Sequence, residues 1–199
     1  MSHILFKPWI GAAYRRAEMF GKRVMILGES HYEGKQDGPP AAEWTRTYIR
    51  RQMTGERSRA FWTRIVHAFI GHTTETAEKR DFWRSVAFYN YIQQSVGDGP
   101  RIRPTREMWE DSEPAFAEVL YRLKPQVLIV LGYQLWRKLP ELDRVPGRPI
   151  ACMEQPETWL YPLKNGGACL AYGIKHPSAG FTSSDWRPHI HKVIQRAPT

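Results

Sequence analysis

Three polar clusters in this sequence are made of residue types that do chemistry: Gly28-Glu29-Ser30-His31-Tyr32, then Asn90, then His176-Pro177-Ser178. Carboxylates and imidazoles orient water and exchange protons, and an asparagine amide offers a donor and an acceptor side by side. Taken singly each has a plain structural meaning, since an Asn at a strand end caps turns and a His before Pro sits in one. Glu29 can orient water or bond a nearby backbone group, and the residues alone do not decide between the two. What joins the clusters is their position, because each lies at or just after the end of an apolar run.

Those runs are the elements that must position the clusters. Arg23-Val24-Met25-Ile26-Leu27-Gly28 and Pro125-Gln126-Val127-Leu128-Ile129-Val130-Leu131-Gly132 are short, rich in β-branched residues and end at glycine, which predicts parallel strands covered on both faces. Val86 to Tyr91 reads as a third strand, and Ala168 to Ile174 as a fourth that ends just before Lys175-His176-Pro177. Ser112-Glu113-Pro114 followed by Phe116, Val119, Leu120 and Leu123 predicts a capped helix feeding the second run, and Phe61, Ile65, Ala68 and Phe69 share one helical face. Glu33 to Glu43 reads as a loop. The alternation predicts one domain over residues 1–199, a three-layer α/β/α sandwich around a central four-stranded, mostly parallel sheet. Ligands of such sheets bind where the carboxyl ends of the strands meet, which would bring the three clusters to one crevice.

Composition narrows the partners. Lys and Arg number 29 against 20 acidic residues, a formal charge of +9, which favours a polyanion such as nucleic acid. No apolar stretch suits a membrane span and the start lacks a secretory pattern, so an intracellular, cytoplasmic protein acting on DNA as a monomer is the expectation. The two cysteines, Cys152 and Cys169, are too few for a four-thiolate iron–sulfur or pure-cysteine zinc site and are expected as reduced thiols.

In order and spacing, Leu27-Gly28-Glu29-Ser30-His31-Tyr32, Val86-Ala87-Phe88-Tyr89-Asn90, Val127 to Gly132 and His176-Pro177-Ser178-Ala179-Gly180-Phe181 resemble the motifs of the uracil-DNA glycosylase superfamily. The resemblance implies a monofunctional DNA glycosylase without cofactor or metal, which flips a uracil or another damaged or modified base out of the stack and hydrolyses its N-glycosidic bond. It implies that Asn90 reads the base edge, that Tyr32 bounds the pocket beside Gly28, and that His176 stabilises the departing base anion. Phe181 is then the wedge that replaces the flipped base, with Ser178, Ser183 and Arg187, joined by Ser184, Lys192, Arg101 and Arg103, as phosphate contacts.

The sequence also departs from that pattern. Its best-known branch has a water-positioning aspartate where this chain has Ser30 and a proline where it has His31, leaving Glu29, Ser30 and His31 as the local catalytic candidates. Two other readings compete. One is a metal-dependent hydrolase using His176, His189 and His191 with His31 and Glu29. The other is a non-catalytic binder of flipped or modified bases.

Overall fold

The apolar runs become the middle of the sheet because nothing in them tolerates water. All residues of Val24–Gly28 and of Val127–Leu131 are buried, with alternate side chains sent to opposite faces. The computed structural model describes residues 2–31, 41–56, 59–97, 102–150, 156–164 and 166–199. Their strands are β1 (Trp9–Ile10), β2 (Val24–Gly28), β3 (Ala87–Asn90), β4 (Val127–Leu131), β5 (Val145–Pro146), β6 (Thr158–Pro162) and β7 (Ala168–Ile174). The α-helices are α1 (Trp44–Thr54), α2 (Ala60–Ile70), α3 (Thr76–Ser85), α4 (Arg106–Asp111), α5 (Glu113–Leu123), α6 (Tyr133–Lys138) and α7 (Ser183–Arg196).

The sheet has seven strands in the order β1-β3-β2-β4-β7-β6-β5. The expected four-stranded sheet is therefore too small. Its four strands are present as the parallel centre β3-β2-β4-β7, and three antiparallel strands extend it: β1 along β3, and β6 then β5 beyond β7. The added strands escape pattern reading for physical reasons. β1 and β5 are two residues long, and β6 lies near the edge of the sheet, where only some of its residues are fully buried.

Helices cover both faces. Val24, Ile26, Ile129 and Tyr172 pack with Ile65 and Phe69 of α2, Phe82 and Trp83 of α3 and Ile190 and Val193 of α7. Met25, Leu27, Leu128 and Val130 pack with Phe116, Val119 and Leu120 of α5 and Leu135 and Trp136 of α6. Each such fully buried side chain contributes about 1.5–3 kcal/mol relative to an exposed one. Among the described residues no helix is long and apolar enough to cross a membrane.

The expected cap of α5 differs in detail. Ser112 occupies the N-cap position, but its hydroxyl donates to the Met108 carbonyl and accepts from the Gln93 N–H, so it ties α4 to the chain after β3 without capping α5.

Packing is close where α6 crosses β7. A Cβ on Gly173 would lie 2.6 Å from Cγ and 2.7 Å from Cδ2 of the buried Trp136. Gly173→Ala is expected to destabilise the fold by about 1–3 kcal/mol, read as a lower urea midpoint with an unchanged m-value.

Candidate active site

Parallel pairing sets the first half of the site. Gly28 lies beside Asn90 in the β2–β3 register, and the two chains stay zipped past the strand ends. The N–H groups of Tyr91, Ile92 and Val96 donate to the carbonyls of Gly28, Glu29 and His31 at 2.9, 2.8 and 3.2 Å. The cluster after β2 is thus held as an extension of the sheet. Asn90 is buried, and its side-chain oxygen sits where a side chain on residue 28 would be: a Cβ there would come within 2.2 Å of Oδ1. Gly28 therefore serves the site by having no side chain.

His31 does not stand open to water as a catalytic base. It is buried, and its Nε2 lies 2.8 Å from Thr45 Oγ1 and 3.0 Å from Asn90 Nδ2. Its ring is caged edge-on by Phe6 and Trp44 and stacked against Tyr48. Burial pulls its pKa down to about 4, so the ring is neutral at pH 7. Among the three local catalytic candidates His31 is thus the one held inside the fold. Ser30 is half-buried and its carbonyl accepts from Asn90 Nδ2 at 3.3 Å.

Glu29 is the candidate with chemical reach. Burial raises its pKa, and Arg103, 3.5 Å away from Oε1, opposes that rise. The same guanidinium acts on His176, whose pKa is lowered first by burial and then by the charge of Arg103. Arg103, expected as a phosphate contact, thus serves as a charge between the first and last clusters.

His176 is positioned by β4, β7 and α2. The Gly132 N–H donates to the Ile174 carbonyl at 2.8 Å, binding the exits of β4 and β7 together. Gly132 itself takes φ 108°, a conformation that favours glycine, and its missing Cβ faces His176 at 3.5 Å. The imidazole rests on the ring of Phe61, 5.4 Å between centroids, while Arg64 of the same helix donates to the Pro177 carbonyl at 2.7 Å. The Ser178 N–H donates to Nδ1 at 3.2 Å. An accepting Nδ1 puts the proton of the neutral ring on Nε2, and among the described residues no acceptor meets that Nε2–H.

The DNA-contact expectations divide. Ser178, Ser184 and Arg187 are exposed. Ser183, half-buried at the start of α7, donates to the Arg64 carbonyl at 3.0 Å and so braces the turn. Phe181, expected as the wedge, is buried against Trp186, centroids 6.1 Å apart. Tyr32, Arg101 and Cys152 lie outside the described residues, as does most of the loop after β2. Cys169 is a free, buried thiol in β7.

The histidines of the metal reading are dispersed. His191 bonds the Phe69 carbonyl at 2.6 Å and His189 lies edge-on to Trp186. Among the described residues no group of three or more His, Cys, Asp or Glu side chains is arranged to hold a metal ion.

Sequence reading missed the supports: Thr45, Gln93, Arg64 and the aromatic cage of His31. Gln93 accepts from the N–H groups of Leu5 and Phe6 at 2.9 Å each and donates to the Asn90 carbonyl at 2.9 Å, so the N-terminal segment is tied to the site. Only the abundance of aromatics hinted at the cage. No protein-family model matches the chain, and no curated protein matches it in sequence.

Because the Arg103 charge lowers both pKa values, Arg103→Ala is expected to raise the pKa of Glu29 further and to raise that of His176. NMR titration of the two side chains checks this, and a pKa unmoved at either residue would remove Arg103 from that part of the site.

Proposed function

We propose that this protein is a DNA glycosylase that hydrolyses the N-glycosidic bond of uracil or another damaged or modified base after the base leaves the stack. The observation that carries the reading is that Asn90, Glu29 and His176 lie at or just past the carboxyl ends of parallel strands of one sheet, with no acceptor for the His176 Nε2–H among the described residues. The motif resemblance and the charge of +9 support the same substrate class.

The chemistry follows from the groups. As the bond from sugar to base breaks, its electron pair stays on the base, and a neutral N–H donor aimed at that developing charge stabilises it without itself losing a proton. Lowered basicity keeps His176 in the neutral form. Water completes the reaction by bonding its oxygen to the sugar carbon, and Glu29 in its carboxylate form takes the water proton. A carboxyl group with a raised pKa is a stronger base once ionised, and Arg103 opposes the rise. Asn90 faces the base edge, and the exposed Ser178, Ser184 and Arg187 contact phosphates.

The test is release of base from labelled oligonucleotides carrying uracil, hypoxanthine, xanthine or modified cytosines, scored as alkali-labile abasic sites. Release of at least one base is expected, and His176→Ala should lower it by about 10²-fold or more with little change in DNA affinity. Release unaffected by the substitution would remove His176 from the mechanism. No release from any substrate would overturn the enzyme reading for these bases.

The pH profile follows from Glu29. A base works only when ionised, so the rate should fall with acid through a midpoint above 4.5, the ordinary carboxyl value, because burial raises this pKa. Glu29→Gln should abolish that limb, and Arg103→Ala should move it to higher pH. A limb that persists in Glu29→Gln would assign the base to another group.

A further inference from the structure

We propose that His31 is a positioning residue that fixes the Asn90 amide with Nδ2 engaged by the protein and Oδ1 left as its one available hydrogen-bonding atom among the described residues, so that the site selects bases offering a ring N–H beside a carbonyl. The inference deepens the glycosylase reading and, in its substrate part, rests on it.

The argument begins with hydrogens. Asn90 Nδ2 carries two, and two partners meet it: the Ser30 carbonyl at 3.3 Å and His31 Nε2 at 3.0 Å. A carbonyl only accepts, so the nitrogen of the amide must be the atom facing Ser30. The same nitrogen then donates to His31, which requires Nε2 to be bare and places the proton of the neutral ring on Nδ1. Thr45 Oγ1, 2.8 Å from Nε2 and fully buried, supplies the second donor to that lone pair. Burial keeps the ring neutral, which this arrangement needs. The cage of Phe6, Trp44 and Tyr48 holds the imidazole in place.

What remains is the oxygen. Oδ1 lies over Gly28, and among the described residues no donor meets it. An amide free to use both ends would read two neighbouring groups of a base, donating to a carbonyl and accepting from the adjacent N–H. Here the donor end is engaged by the protein, so the amide contributes acceptance only. A base with a ring N–H satisfies Oδ1, and its carbonyl takes the His176 Nε2–H. Uracil and the 6-keto purines carry that pair, whereas cytosine and adenine present a bare ring nitrogen at the matching position, an acceptor facing an acceptor. The exocyclic oxygen at position 4 of uracil is left without a donor from Asn90.

The experiment has two arms on the full chain. In the free protein, the nitrogen-15 shifts of His31 report the tautomer. The Nδ1–H form with slowly exchanging Asn90 side-chain protons is expected; the Nε2–H form would overturn the proposal whatever the enzyme does. In the second arm, affinities are compared for single-stranded oligonucleotides carrying uracil, N3-methyluracil or 4-thiouracil. Blocking the ring N–H should weaken binding by about tenfold or more, whereas replacing the oxygen at position 4 should change it by less than about threefold. Equal affinity for N3-methyluracil, or a large loss with 4-thiouracil, would overturn the selection. His31→Ala, which frees one Nδ2 hydrogen, should make binding sensitive to the group at position 4; the tautomer of the parent protein decides the positioning role should that variant not fold. The expected tautomer and affinity order without base release would leave His31 in its role and refute the glycosylase instead.

Discussion

The structure depends on one register, the parallel pairing of β2 with β3 that sets Gly28 beside Asn90. The pairing continues beyond the strand ends through three backbone hydrogen bonds from Tyr91, Ile92 and Val96, so the polar cluster after β2 is held by sheet geometry. A shift by one residue would put a side chain where the Asn90 oxygen sits and turn Asn90 to the opposite face. The buried residues on both faces of β2 enforce the register, since a slip would exchange the sets facing α2 and α5. The geometry of this site is a consequence of core packing.

Around that register the polar side chains of Glu29, His31, Asn90 and His176 are wholly or partly buried. Burial is the leading influence on the pKa values of Glu29, His31 and His176, acting against the charged form in each case. Two neutral imidazoles result, with opposite tasks. His31 turns its bare nitrogen inward to hold an amide, and His176 has its bare nitrogen occupied by a backbone N–H so that its proton faces out. Arg103 comes from the chain after β3, its side chain largely exposed, and moderates the carboxylate of Glu29. A crevice of this kind suits a substrate on which charge appears only during reaction.

Much of this was legible in the sequence, and the parts that were not have identifiable causes. The four central strands could be read because burial on both faces writes an uninterrupted apolar run. β1 and β5 have too few residues to show a period, and β6 mixes buried with partly exposed positions. The position of Gly28, Glu29, Asn90 and His176 at or just past strand ends is legible because each follows such a run. The burial of Phe181 and His31 is not legible in the sequence, because residue type reveals what a side chain can do, whereas folding decides whether it faces solvent. The links from Thr45 to His31 and from Gln93 to Leu5 and Phe6 join residues brought together only by folding, and no local pattern announces them.

The central claim is that a DNA base enters the crevice where β2, β3 and β7 end. Its most direct measurement is the crystal structure, or the map of NMR shift changes, of the protein with a short single-stranded oligonucleotide carrying uracil. The account requires the base between Asn90 and His176, with the largest shifts at Gly28, Glu29, Asn90, Gly132 and His176. Saturable binding that leaves those residues unmoved and perturbs another face would contradict it.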